Sequence, residues 1–155
     1  MTDTSTLQRF LDPVALQFDD ALGEIERGCK RTHWMWFMFP QLESLGRSGT
    51  ARFYGLAGVD EARAFVRHEV LGAGFERLVA AVHAVVVTQG HRVHDVFGSP
   101  DDLKLVSSLT LFRRAAELEG KHLLVEHCDS ILAVAVEQGL SPCAVTAAAV
   151  ATTAL

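Results

Sequence analysis

The sequence predicts an all-α fold, a single multihelical globular domain of about six helices. Three observations carry that prediction. Apolar residues recur at helical spacing along most of the chain. Start and stop residues bracket these runs, with Asp12-Pro13, Ser99-Pro100 and Ser141-Pro142 ahead of them and Gly28, Gly90 and Gly139 behind. No two segments alternate polar and apolar residues across a turn, as a β-hairpin requires.

The first helix is expected to start with Asp12 as its N-cap and Pro13 at its first position, and to stop at Gly28. Val14, Phe18, Leu22 and Ile25 share one face, with Asp19, Glu24 and Glu26 turned elsewhere. Trp34 to Phe39 is an unbroken apolar run closed by Pro40, and its periodicity fits a buried strand or a buried helical turn equally well. The glycine-rich stretch 46–58 reads as an irregular connection. Asp60 then caps a short helix carrying Ala62, Phe65 and Val66. A stronger helix follows through Phe75, Leu78, Val79, Val82 and Val86, ending at Gln89-Gly90. Ser99 offers a capping hydroxyl and Pro100 a first helical residue, with Asp101 and Asp102 against the positive helix end. Leu105, Leu109, Phe112 and Ala116 form that helix's apolar stripe. Leu124, Cys128, Ile131 and Ala135 mark another, and Ser141-Pro142 starts the last.

Bulk properties narrow the function classes. With 155 residues the chain can bury a core without metal or disulfide staples, and 49% hydrophobic against 21% charged residues argues against disorder. The 14 basic and 19 acidic side chains leave a charge of −5, which disfavours a general binder of nucleic acid or anionic membrane. No fully apolar stretch approaches the roughly 20 residues of a membrane helix, and Met1 to Thr6 reads as a flexible N-terminus rather than a signal peptide. Cys29, Cys128 and Cys143 are widely spaced and form no CxxC pair. A cytoplasmic protein without cofactor, monomeric or weakly dimeric, is the expectation.

Two segments could carry chemistry. In the first, Lys30, Arg31 and His33 directly precede Trp34, Trp36 and the rest of the aromatic run, with Gln41 just beyond Pro40. Aromatic faces could stack a planar ring while the cations hold an anionic group. The structural alternative is that Lys30 and Arg31 sit at a helix C-terminus, Glu26 sits four residues before Lys30, and the aromatics are core. The second segment runs from Phe97 to Thr110. There Asp101 and Asp102 could hold a cation or serve as acid and base, or could simply stabilise the helix start, while Lys104 and Ser108 share a partly polar face. His91, His94 and Asp95 lack a third metal ligand, and no HExxH, GxSxG, Walker or GxGxxG motif is present.

These segments carry a resemblance. LQRFLDP near the start, GCKRTHWMWFMFPQL and FGSPDDLKLVSSLTLF are similar to an uncharacterised bacterial family catalogued as domain of unknown function 1810. The likeness covers about residues 7–116 and is loose after Glu117. It implies a multihelical domain and no particular reaction. The label "calpastatin" that some relatives carry finds no support in this globular composition, since calpastatins are long and disordered. The expected function is a pocket for a ring-bearing anion, such as a nucleotide or an ADP-ribose-like compound, built from Lys30, Arg31, His33, Trp34, Trp36, Gln41, Asp101, Asp102, Lys104 and Ser108. The competing expectation is an interaction module that uses the aromatic segment or the C-terminal helix.

Overall fold

Leu7, Phe10, Val14, Ala21 and Ile25 are all buried along one side of the first helix, so it begins earlier than the Asp12-Pro13 signal predicts. In the computed structural model, which describes residues 4–151, helix α1 spans Gln8–Glu26 and follows a 3-10 turn at Thr4–Leu7. Residues 1–3 of the expected flexible terminus, and residues 152–155, lie outside the described residues. Pro13 is therefore inside α1, where it withholds a hydrogen bond from the Arg9 carbonyl. Burying Leu7 and Phe10 at about 1.5–3 kcal/mol each offsets the ~3 kcal/mol that an internal proline costs. The stop behaves as expected, with Gly28 in the left-handed region at φ 74°.

Nine α-helical segments follow one another among the described residues. Six match the expected helices: α1, α4 (Val59–Arg67), α5 (Glu69–Val82), α7 (Asp101–Leu118), α8 (His122–Glu137) and α9 (Ala144–Ala151). The other three, α2 (Met35–Met38), α3 (Gly49–Phe53) and α6 (Val93–Phe97), are single turns too short to show a period. The aromatic run thus resolves as a helical turn. The stretch 46–58 is less irregular than expected, since it contains α3 and a parallel bridge between Leu42 and Leu56.

Helix α5 continues as a π-helical turn through His83–Thr88 and packs against α1, α4 and α8. Residues 69–88 are long and apolar enough to cross a membrane, with mean hydropathy 1.7. Here Leu71, Phe75, Leu78, Val79, Val82, Val85 and Val86 are buried in the shared core. Phe75 stacks on Phe112 of α7 with ring centroids 4.3 Å apart. At the α4–α5 elbow the His68 Nδ1 accepts from the Val70 and Leu71 N–H groups, capping α5. Gly72 sits so close to α4 that a Cβ there would lie 2.1 Å from the Val66 carbonyl oxygen.

Three further start signals shift, and the first is that of α4, whose N-cap is Gly58 with Asp60 inside the first turn. Helix α7 begins at Asp101, with Pro100 flanking it and no side-chain cap from Ser99. The Gly98 carbonyl accepts the Asp102 N–H at 2.8 Å, and the Asp102 Oδ1 accepts from Leu103 at 2.8 Å, so backbone and acid do the work expected of Ser99. Helix α9 starts two residues past Pro142, and the Cys143 carbonyl accepts the Ala147 N–H at 3.1 Å.

Candidate functional site

Glu24 organises the first candidate segment. Although the apolar pattern turns it away from the core face, it is only 4% exposed. Its Oε1 accepts the backbone N–H groups of Arg31 at 2.7 Å and Thr32 at 2.9 Å, and the Trp34 indole N–H at 3.0 Å. Its Oε2 accepts the Thr32 hydroxyl at 2.6 Å. Burial pushes the Glu24 carboxyl up, but these four donors outweigh it and hold it at about 2. The carboxylate therefore folds the 29–34 loop back onto α1 and draws Trp34 fully into the core.

Inside that loop Lys30 crosses to the second segment. Its backbone N–H donates to the Val96 carbonyl at 2.8 Å, and its ammonium lies 2.9 Å from Asp101 Oδ2 and 5.1 Å from the Trp34 ring centre. Trp34 also meets Phe97 edge-on. The two segments are thus in contact, through an ion pair and through the core. Asp102 is buried and pairs with His94 Nδ1 at 3.0 Å. Ser108 is fully buried, and its hydroxyl has no hydrogen-bond partner among the described residues. Arg31 and His33 are exposed, the latter with its ring 6.5 Å from that of Trp36.

Beside this contact lies a cavity of about 670 Å³, within the usual size of a small-molecule site. One wall is α2 with Trp36, followed by Gln41. A second is the 42–54 stretch with Arg47, Ser48 and Tyr54. The third is the first turns of α7, with Lys104 and Ser107, closed by Cys143 ahead of α9. Of the expected residues, Trp36, Gln41 and Lys104 line this cavity, whereas Lys30, Arg31, His33, Trp34, Asp101, Asp102 and Ser108 do not. Arg47, Ser48, Tyr54, Ser107 and Cys143 escaped the sequence reading. Ser107 was readable in principle, being three residues from Lys104 on one helix. The others come from loops whose placement no periodicity encodes.

The chemistry of the cavity is one-sided. Among the described residues its charged lining groups are Arg47 and Lys104, and no carboxylate lines it. Burial pushes the Cys143 thiol up, but contacts with the Thr146 hydroxyl and backbone, Ser107 and the Val145 backbone outweigh that and bring it below its ordinary value. Thr146 Oγ1 is 3.3 Å and Ser107 Oγ 4.0 Å from the sulfur. Cys128, by contrast, is buried in the core and is pushed up to about 12. No group of three metal-ligating side chains occurs among the described residues. A smaller cleft of about 330 Å³ between α5 and α8 has mixed charge, with Glu76 and Lys121 at its edge. Trp34, Phe37 and Phe39 are buried, so they offer no apolar patch to a partner.

A family model described as protein of unknown function (DUF1810) matches residues 4–131. The crystal structure of the conserved hypothetical protein Rv1873 from Mycobacterium tuberculosis is similar to this chain with a TM-score of 0.80 and 36% identity, covering 97% of this chain and 100% of that one. No curated protein matches. The matched range contains Trp36, Gln41, Arg47, Tyr54, Lys104 and Ser107, and stops before Cys143.

Proposed function

This chain belongs to the DUF1810 family of proteins of unknown function, and from that starting point we propose that it binds or transforms a small ring-bearing anion, such as a nucleotide or an ADP-ribose-like compound, in the cavity between α2, the 42–54 stretch and α7. The observation that carries this reading is the lining itself. Among the described residues, Arg47 and Lys104 bring two cations and no carboxylate to a space that also presents the Trp36 and Tyr54 rings and the Ser48 and Ser107 hydroxyls. A planar ring can stack on an aromatic face such as that of Trp36 or Tyr54. Either cation can attract an anionic group, and partial desolvation strengthens the attraction. We place the protein in the cytoplasm, acting as a monomer or weak homodimer. Its three thiols are unpaired, as a reducing compartment would keep them.

Thermal shift and tryptophan quenching against AMP, ADP and ADP-ribose test the reading. Trp36 is half-buried and faces the cavity, whereas Trp34 is sealed in the core, so quenching reports on Trp36. Binding that weakens at least about tenfold in Trp36→Ala and in Lys104→Ala supports it, that factor being about 1.4 kcal/mol. Arg31→Ala, outside the cavity, serves as the control with unchanged affinity. If none of the three compounds shifts the melting temperature or quenches Trp36, the reading fails.

A further inference from the structure

We infer that Lys30, which does not reach the cavity, is a positioning residue that keeps the charge of Lys104 available to an anionic ligand by taking up the Asp101 carboxylate; the inference rests on the anion reading above.

Three groups decide it. Asp101 lies between two ammonium groups, 2.9 Å from Lys30 Nζ and 3.8 Å from Lys104 Nζ. The Lys30 side chain is only 7% exposed and stacks over Trp34, so it is a fixed, desolvated cation. The Lys104 side chain is 35% exposed and lines the cavity. Two lysines and one aspartate sum to a single positive charge. The short, buried contact assigns the carboxylate to Lys30, because the attraction grows as distance and solvent screening fall. The remaining charge belongs to Lys104, the group that faces the cavity. Without Lys30, Asp101 has one partner left, three residues along the same helix, and an i,i+3 pair closes easily. Lys104 would then turn from the cavity and its charge would be cancelled. This gives the family's two motif segments a joint role: the first neutralises the acid at the helix start of the second, and the second's lysine is freed for the ligand.

The charge arithmetic sets the experiment. ADP affinity is measured by calorimetry at low salt for the wild type, Lys30→Met, Asp101→Asn, the double variant and Lys30→Arg. Methionine keeps an unbranched side chain of similar length without the charge. Lys30→Met leaves no net charge in the cluster, and its affinity is expected to fall about tenfold. Asp101→Asn leaves two positive charges and is expected to bind about tenfold tighter. The double variant returns to one charge and to near wild-type affinity, as does Lys30→Arg. A purely structural role for Lys30 would make the double variant at least as weak as Lys30→Met, and that result overturns the inference while the anion reading stands. A crystal structure of Lys30→Met gives the second readout, with the Lys104 ammonium expected in direct contact with Asp101. If the wild type binds no ADP, this geometry alone decides, and Lys104 staying at its present separation overturns the inference. Should Lys30→Met not fold, Asp101→Asn binding no tighter than the wild type does the same.

Discussion

Replacing Glu24 by glutamine keeps the size of the side chain and removes its charge, which isolates what the carboxylate does for the 29–34 loop. Two routes give its worth. The carboxyl sits at about 2 against an ordinary 4.5, a difference of 2.5, and at about 1.4 kcal/mol per pKa step this is ~3 kcal/mol. Independently, four hydrogen bonds to an ionised acceptor become at best four neutral ones, at a loss of roughly 0.5–1 kcal/mol each. Both place Glu24→Gln at about 2–4 kcal/mol, or a melting point lower by roughly 5–15 °C in a domain of this size. The pH dependence carries the sign. Because the folded value lies below the unfolded one, the contribution is complete above 4.5 and is lost as pH falls from there toward about 2. Glutamine does not titrate, so the gap between wild type and variant should narrow over that interval. Urea denaturation of both proteins between about pH 6 and 3 measures it. A gap under about 1 kcal/mol near neutral pH, or one that stays constant on acidification, would refute the reasoning.

Three further outcomes follow from the packing and the titrating groups. Gly72→Ala should cost about 2–3 kcal/mol by urea denaturation, since its Cβ would meet the Val66 carbonyl oxygen at 2.1 Å; a neutral result would mean that α4 and α5 can part without cost. Under iodoacetamide, peptide mass mapping should find Cys143 carbamidomethylated within the time that leaves Cys128 untouched, because the Cys143 thiol is below its ordinary value and that of Cys128 is at about 12; equal labelling of the native protein contradicts both assignments. Burial, and the His83 ring facing it at 4.6 Å, keep His127 below its ordinary 6.5, with Glu126 opposing. The folded state thus resists the proton that the unfolded chain accepts, and stability drops as pH falls through 6.5. His127→Gln should flatten that slope in thermal melts between about pH 7.5 and 5.5, and an unchanged slope removes His127 as its source.

The long helices were legible because their stripes are long. Phe75 to Val86 and Leu124 to Ala135 are buried as their spacing requires. Misreadings came where one local signal competed with burial. Asp12-Pro13 resembles a helix start, yet Leu7 and Phe10 upstream extend the same stripe, and their burial outweighs a proline inside the helix. Glu24 is the harder case. A glutamate among Asp19 and Glu26 reads as part of a solvated face, and nothing in the pattern says that a loop seven to ten residues later will return four donors to it. The cavity wall of Arg47, Ser48 and Tyr54 is equally silent, since it is placed by one short helix and the Leu42–Leu56 bridge.

Spacing also fixes direction without fixing depth, and the second segment shows the consequence. Asp101, Lys104, Ser107 and Ser108 lie within one broad face of α7, as positions three and four apart must. Their surroundings nonetheless differ. Asp101 and Lys104 side chains keep 21% and 35% exposure, while Ser107 is 6% exposed and Ser108 not at all. The polar stripe runs from solvent, along the cavity, into the core within two turns. Trp34 and Trp36 repeat the pattern on the other wall, the first sealed around Glu24 and the second turned to the cavity. Core and candidate site are therefore not alternatives for these segments. Each helical turn presents one side chain inward and another to the cavity, and the inward groups hold the outward ones in place. Loss of ligand binding in a Trp34 variant would thus come with loss of stability, whereas a Trp36 or Lys104 variant should lose binding and keep its fold.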